Sequence, residues 1–128
     1  MAHLRRRYLV EALTKALKFS PIVGILGQRQ TGKTTLLQET VKENYVSLDD
    51  FEELQAARLN PKGFLEKRSH PFGVDECQLA PELFPALKLQ VQDNKRPGRF
   101  ILTGSIRFTS RKAVRESLRG RIFNLVLR

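Results

Sequence analysis

Apolar and polar positions divide the chain into short continuous apolar runs and longer segments whose apolar residues recur at helical spacing. The apolar runs, bounded by turn residues, predict five strands near residues 22–27, 45–49, 72–75, 99–103 and 121–127. The segments between them predict helices over residues 4–18, 33–44, 51–59, 81–93 and 111–118, with a short helical piece from Phe64. This alternation predicts an α/β fold, a three-layer sandwich with a mostly parallel sheet that helices cover on both faces.

The first predicted helix is amphipathic, with Leu9, Leu13 and Leu17 on one side and basic residues elsewhere. We expect this stripe to pack on the protein's own core, because a helix that lies on a membrane surface carries larger apolar anchors. Pro21 ends the approach and opens the first strand, where a missing N–H costs little. The sequence therefore predicts an N-terminal helix within residues 1–20, packed on a single core domain of residues 21–128.

Length and composition narrow the class of protein. The chain has 128 residues, enough for one domain, and 41% of them are hydrophobic, which favours a folded globular protein. No apolar run is long enough to span a bilayer, and the single cysteine, Cys77, excludes an intramolecular disulfide. We therefore expect a cytoplasmic protein. The Arg5–Arg7 cluster lacks the uninterrupted apolar run of a secretory signal, although an Arg-rich organelle presequence stays open as an alternative.

The chain is strongly basic, with 23 Lys and Arg residues against 13 Asp and Glu residues and a formal net charge of +10. Much of the excess lies in the C-terminal region, at Arg107, Arg111, Lys112, Arg115, Arg119, Arg121 and Arg128. Two interpretations remain open, a solvated face or contact with nucleic acid. Lys and Arg do not alternate with aromatic residues as they would on a base-stacking surface.

The stretch GQRQTGKTT, residues 27–35, matches the phosphate-loop pattern G-x-x-x-x-G-K-[ST] and lies between an apolar strand and a helix. Glycines allow the backbone to turn tightly, so that its N–H groups and the helix N-terminus point at a phosphate. Lys33 is expected to reach the outermost phosphates and the Thr34 hydroxyl to bind Mg²⁺. The predicted phosphate loop consists of Gly27, Gln28, Arg29, Gln30, Thr31, Gly32, Lys33, Thr34 and Thr35.

Acidic residues follow two of the predicted strands. Asp75 and Glu76 have the layout of a Walker B element, in which one carboxylate completes the metal shell and the next polarises water. Gly73 weakens that strand and is expected to mark a close approach of another backbone; an exposed acidic turn is the alternative. Asp49 and Asp50 end the second strand, where either caps the next helix or faces a nucleotide.

The fourth predicted strand is apolar on both faces and ends in small polar residues, as expected for the centre of a parallel sheet. At that end Thr103 or Ser105 is placed to hydrogen-bond the outermost phosphate or the attacking water. A turn hydroxyl satisfied by local backbone is the alternative for each residue.

Taken together, these motifs resemble the AAA-like prokaryotic P-loop ATPases, whose core is normally followed by an uncharacterised C-terminal domain. The resemblance rests on the phosphate loop, Leu48–Asp50, Asp75–Gln78, Leu102–Ser105 and Glu116–Arg121. It departs from the family at Cys77, where an aliphatic residue is usual, at Gly73, and in the absence of the C-terminal domain.

The resemblance implies ATP and Mg²⁺ as cofactors, with Lys33 on the phosphates and Thr34 and Asp75 on the metal. Glu76 would be the catalytic carboxylate, and Thr103 to Ser105 would form the sensor region. Arg119 and Arg121 are the candidates for positive charge supplied to the phosphates, either within the chain or from a neighbouring subunit of a homo-oligomer.

The leading hypothesis is therefore an ATP-binding module that hydrolyses ATP with Mg²⁺, slowly as an isolated core. A small-molecule kinase shares the phosphate loop, but the adjacent Asp75 and Glu76 favour transfer of the phosphoryl group to water. A non-catalytic module that binds nucleotide, or nucleic acid through the basic C-terminal region, is the alternative from a different class.

Overall fold

Five parallel strands form one sheet in the computed structural model, which describes residues 2–28, 31–108 and 111–127. The sheet order is β2-β3-β4-β1-β5. The strands are β1 (Ile22–Leu26), β2 (Tyr45–Ser47), β3 (Phe72–Asp75), β4 (Phe100–Gly104) and β5 (Ile122–Val126). The helices are α1 (Ala2–Ala16), α2 (Lys33–Val41), α3 (Phe51–Leu59), α4 (Pro61–Glu66), α5 (Leu83–Asp93) and α6 (Lys112–Leu118). The predicted α/β class is confirmed.

The central strand is β1, which lies between β4 and β5. Its first residue, Ile22, is in register with Phe100 of β4 and with Ile122 of β5. Because every pairing is parallel, the carboxyl ends of the strands meet at one edge of the sheet. That edge carries the segments after β1, β3 and β4.

Two apolar clusters cover the two faces of the sheet. On one face, α1 and α2 pack Leu13 and Leu37 against Val23 of β1. On the other face, α3 to α6 pack against the opposite side of the strands, where Phe72 and Phe100 are fully buried. The strands β1, β3 and β4 are buried along their whole length, as expected when helices cover both faces of a parallel sheet.

The N-terminal helix α1 lies against α2 through its apolar stripe. Leu13 and Ala16 are almost completely buried, and Arg6 forms an ion pair with Glu39 of α2 at 3.3 Å. The stripe therefore contacts the protein's own core. No helix in the described part of the chain combines the length and the apolar character needed to cross a membrane.

Strand β3 contains Gly73, a residue type that weakens strands. Glycine is needed at this position because neighbouring elements occupy the space that a side chain would fill. A Cβ atom at Gly73 would lie 2.6 Å from Leu37 Cδ1 and 2.9 Å from Tyr45 Cβ. The close approach was predicted to involve another backbone; it involves side chains of α2 and β2 instead. Asn44 further secures the strand, since its side-chain amide donates to the carbonyl of Pro71 at 2.7 Å.

Helix boundaries differ from the predicted ones where capping decides them. The helix predicted from Phe64 begins at Pro61, because proline suits the first helical position and Asn60 caps it by accepting from the Gly63 N–H at 3.1 Å. The helix predicted over residues 33–44 ends at Val41, where Lys42 adopts a positive φ of 57°.

Candidate functional site

Three predicted motifs meet at the carboxyl edge of the sheet, after the central strands β1, β3 and β4. The Gly27 N–H at the start of the phosphate loop donates to the Gly104 carbonyl at 3.2 Å, which joins the ends of β1 and β4. The Asp75 and Glu76 pair follows β3, which neighbours β4. The sheet order therefore brings together residues that are more than seventy positions apart in the chain.

The phosphate loop leads directly into α2. Gly32 adopts φ 89°, a left-handed conformation that glycine takes without the steric penalty of a side chain, and it caps α2 with no side-chain hydrogen bond. Thr31 donates its hydroxyl to the Gln28 carbonyl at 2.7 Å. The first-turn N–H groups of α2 are thus left without a side-chain cap, as an anion-binding helix N-terminus requires. Two predicted loop residues, Arg29 and Gln30, lie outside the described residues.

The Lys33 side chain is 6% exposed and lies at the centre of the site. Its Nζ donates to the carbonyls of Gly27 at 2.7 Å and Gly104 at 3.2 Å, and it lies 3.9 Å from Glu76 Oε1. One positive charge is therefore held between the loop, the end of β4 and the acidic pair.

Thr34 and Asp75 face each other across the junction between α2 and β3. The Thr34 hydroxyl lies 3.2 Å from each carboxylate oxygen of Asp75, which is only 4% exposed. Among the described residues, no cationic side chain lies within ion-pair distance of this buried carboxylate. Such a pair of oxygen ligands fits Mg²⁺, which is commonly held by one or two protein ligands together with substrate phosphates.

Within residues 2–28, 31–108 and 111–127, no group of three or more His, Cys, Asp and Glu side chains could hold a metal ion. Cys77 is fully buried behind the acidic pair, and burial, followed by the charge of Glu76, raises the pKa of its thiol. The neutral thiol fills an apolar position, as the aliphatic residue usual in the resembled family would.

Thr103 is fully buried, and its hydroxyl links β4 to the acidic pair. It donates to Asp75 Oδ1 and accepts from the Glu76 N–H at 3.0 Å. Both contacts lie within the protein, so the hydroxyl supports the two carboxylates. This differs from the predicted contact with phosphate or water. Ser105, two residues later, is exposed and lines a cavity of about 300 Å³ with Gln28, Lys33 and Glu76.

Glu76 adopts a left-handed backbone conformation with φ 57° and ψ 46°. A residue other than glycine in this region is uncommon, and such strain concentrates at functional sites. One carboxylate oxygen of Glu76 accepts from the Gln78 amide at 2.7 Å, while the other faces Lys33. Because a carboxylate only accepts, the Gln78 amide nitrogen must face Glu76. The Gln78 oxygen is buried without a partner in the described structure.

Sequence analysis did not select Gln78 as a site residue. Its contact depends on the short 3₁₀ turn at Cys77–Leu79, which returns the chain over Glu76. A polar residue two positions after the acidic pair was the signal in the sequence that could have identified it.

The two aspartates after β2 have different positions. Asp50 caps α3, accepting from the N–H groups of Glu52 at 2.9 Å and Glu53 at 3.4 Å. Asp49 lines a cavity of about 340 Å³ together with the start of α2 and the acidic pair of β3. The predicted helix cap is therefore Asp50, and the prediction that an aspartate of this pair faces a nucleotide remains a prediction for Asp49.

Arg119 and Arg121 lie away from the site. They precede β5 and line a cavity of about 590 Å³ with Pro21, which precedes β1. They are therefore at the amino edge of the sheet, separated from the phosphate loop by the length of β1, roughly 16 Å. Within one chain the structure does not bring these arginines to the other predicted site residues.

Comparisons with known proteins identify a family and several similar proteins. The sequence profile of a family described as AAA domain matches residues 19–128. Two uncharacterised proteins, from Mycobacterium bovis and Mycobacterium tuberculosis, are each 36% identical to the chain over 121 residues. Each match covers 93% of this chain and 27% of the relative, so the chain spans well under half of these relatives' length. A solved DNA polymerase III gamma subunit-related protein of Thermotoga maritima has a TM-score of 0.49 and 14% identity, over 93% of this chain and 45% of that chain.

Proposed function

This chain belongs to the AAA domain family, and we propose that it binds ATP with Mg²⁺ and hydrolyses it to ADP and phosphate. The observation that supports this proposal most directly is the convergence of Lys33, the Thr34–Asp75 pair and Glu76 at one edge of the sheet. Phosphoryl transfer to water requires a phosphate cradle, a metal, a group that orients water, and positive charge. The site offers a residue for each requirement.

The triphosphate would lie on the phosphate loop and the open N-terminus of α2. Lys33 is the buried cation that faces the outermost phosphates, and its carbonyl partners at Gly27 and Gly104 hold its ammonium group in place. Thr34 and Asp75 would hold Mg²⁺, which when bound neutralises charge that develops on the phosphate oxygens. Thr103 positions Asp75 for this role through its hydroxyl.

Glu76 would orient the attacking water and receive its proton. The water oxygen forms a bond to the terminal phosphorus as the bond to the bridging oxygen breaks, and ADP leaves with that oxygen. Gln78 positions the carboxylate, and the exposed Ser105 hydroxyl lies in the same cavity, where it can contact the water or the terminal phosphate. The contacts with Gln78 and Lys33 hold the Glu76 carboxylate in this cavity.

The resemblance to AAA-like ATPases, and not the structure, is the ground for including in this proposal a homo-oligomer in which Arg119 and Arg121 of a neighbouring subunit supply positive charge to the site. Their distance from the loop of the same chain excludes direct help in cis. An arginine supplied in trans can contribute several orders of magnitude to phosphoryl transfer, so a lone subunit is expected to turn over slowly.

The proposal is tested by phosphate release from ATP in the presence of Mg²⁺ at several protein concentrations. We compare the intact chain with Glu76→Gln and Lys33→Ala, and use Glu43→Gln as a matched control because Glu43 is exposed and far from the acidic pair in the fold. Turnover should vanish in both site variants and persist in the control.

Two other outcomes would identify the alternatives. ATP binding without turnover in the intact chain would indicate a non-catalytic binding module. Turnover that requires an added acceptor molecule would indicate a small-molecule kinase.

A further inference from the structure

Strand β5 forms the edge of the sheet opposite β2. It pairs with β1 alone, so in the described part of the chain no strand lies along its other side. The unpaired backbone groups along such an edge are a template for the pairing of another extended chain. We propose that β5 binds an extended segment of a partner protein in which acidic and apolar residues alternate.

The two edges of the sheet differ in how they are protected from pairing. Edge strands are commonly protected by being very short or by carrying charged residues or proline. Strand β2 has three residues, whereas β5 has five, none of which is charged or proline. Phe123 and Val126 of β5 are 40% and 41% exposed, although β1, β3 and β4 are buried throughout. The β5 edge therefore has the apolar, uncharged character of a surface that another chain covers.

The surface beside β5 is apolar on the face of the sheet that α1 covers. Phe19, which follows α1, packs its ring edge-on against Phe123, with the ring centroids 5.1 Å apart. Phe19 is itself 58% exposed, so the pair presents an apolar surface next to β5. Because the side chains of a strand alternate between the two faces of a sheet, an added strand would place every second side chain on this face. Apolar residues suit these positions.

The surface beside β5 is basic on the opposite face, where α6 packs. A cavity of about 900 Å³ lies there, and Ile122 and Asn124 of β5 line it. Among the described residues, its charged lining consists of four cationic side chains and one carboxylate, namely Lys112, Arg115, Arg119, Arg121 and Glu116. The remaining side chains of an added strand would lie at this cavity.

Two of these cations are available to a partner. Glu116, the carboxylate of the lining, already pairs with Lys112 at 3.9 Å. Within residues 2–28, 31–108 and 111–127, no carboxylate lies within ion-pair distance of Arg115 or Arg119. These two arginines are four positions apart, which places them on the same side of the helix end. Because guanidinium groups bind carboxylates in a planar, two-bonded geometry, acidic residues suit the positions that face the cavity.

Charge and shape distinguish this partner from the other candidates. A second copy of the chain would add its own net charge of +10 to a surface that is already basic. Single-stranded nucleic acid stacks its bases on aromatic side chains, and no aromatic residue in the described part of the chain lines the basic cavity. A nucleic acid duplex has no extended polypeptide edge to pair with β5. An acidic and apolar strand matches the backbone edge and both faces together.

The test measures the binding of a capped peptide of about eight residues, in which valine and glutamate alternate, to the full chain by isothermal titration calorimetry. Three comparison peptides separate the contributions. The first alternates valine and lysine, and the second has the composition of the test peptide with all valines before all glutamates. The third is the test peptide with N-methyl groups on its central residues, which removes backbone donors.

Two variants of the chain examine the two faces. Arg115→Glu reverses a charge of the basic cavity, and Phe123→Ser removes the apolar pair on the other face. The matched control is Lys67→Glu, because Lys67 is exposed at the end of α4 and lines neither surface. Thermal denaturation establishes that each variant is folded at the temperature of the titration. Arg115 and Phe123 lie outside the proposed ATP site, so ATP turnover tests the proposed function independently.

The intact chain should bind the test peptide at least about tenfold more tightly than each comparison peptide. Arg115→Glu and Phe123→Ser should each weaken this binding about tenfold, since each removes the partner of one set of side chains. Lys67→Glu makes the same change in net charge at a distance, where salt screens it, and should change the affinity less than about twofold.

Several results would overturn the inference. Failure of the test peptide to bind would do so, as would equal affinity for the block or the N-methylated peptide, because binding would then not depend on strand pairing. Binding of a DNA duplex that Arg115→Glu abolishes, without binding of the test peptide, would assign the basic cavity to nucleic acid. Dimers of the intact chain that Phe123→Ser abolishes, again without peptide binding, would assign the β5 edge to a second copy.

Discussion

Replacing Thr103 with valine removes the hydroxyl that joins β4 to the acidic pair and keeps nearly the same side-chain volume. The Glu76 N–H then loses its acceptor, and Asp75 loses its buried donor. A buried polar group left unsatisfied costs about 1–3 kcal/mol, so two such groups are expected to lower the free energy of unfolding by about 2–6 kcal/mol. In Thr103→Val the backbone of Glu76 also leaves its strained conformation more easily, which displaces the carboxylate. We therefore expect kcat for ATP hydrolysis to fall about a hundredfold.

Urea denaturation measures the change in stability, and phosphate release with Mg²⁺ measures the change in kcat. The matched variant is Thr103→Ser, which keeps the hydroxyl and loses one methyl group worth about 1 kcal/mol. We expect Thr103→Ser to be more stable and more active than Thr103→Val. The reverse order, or a valine variant as stable and active as the intact chain, would show that packing of the methyl group is what matters at this position.

Four further changes test other parts of the site and fold. Gln78→Ala should lower kcat about tenfold at unchanged ATP affinity, because the amide positions Glu76; an equal loss of affinity would contradict this. Gly32→Ala should cost about 1–2 kcal/mol by urea denaturation because φ is 89°, and an unchanged midpoint would refute the argument. Asp50→Ala should cost about 1 kcal/mol through the lost helix cap while ATP turnover persists, and lost turnover would instead place Asp50 in the site. Mixing Glu76→Gln with Arg121→Ala subunits should raise ATP turnover above that of either variant alone if sites are shared between subunits, whereas turnover no higher than the average of the two separate variants would exclude a trans arginine.

Local signals in the sequence predicted the strands and the helix after the loop. Apolar runs placed all five strands within two residues of their bounds, and α3 runs from Phe51 to Leu59 as predicted. Burial on both faces of β1, β3 and β4 selects mostly apolar residues along these strands, so this pattern can be recognised from the sequence alone. The phosphate-loop spacing is equally local, because one strand, one turn and one helix suffice to form it.

Side-chain roles that depend on neighbouring strands could not be predicted. The sequence left open whether Thr103 or Ser105 faces the ligand. Because β4 lies next to β3, the Thr103 hydroxyl contacts Asp75, while Ser105 lines the cavity beside Lys33 and Glu76. Gln78 was overlooked because its contact with Glu76 depends on a turn that the pattern of polar residues does not specify.

The sequence by itself determined the class of fold, the phosphate loop and the acidic pair, since each rests on residues close together in the chain. Only the tertiary structure decided which residues share the site. It assigned Asp49 to the site cavity and Asp50 to a helix cap, and it placed Arg119 and Arg121 at the opposite edge of the sheet. The physical reason is that the order of the strands depends on how the crossover helices pack on the two faces of the sheet. That packing depends on many contacts between residues distant in sequence.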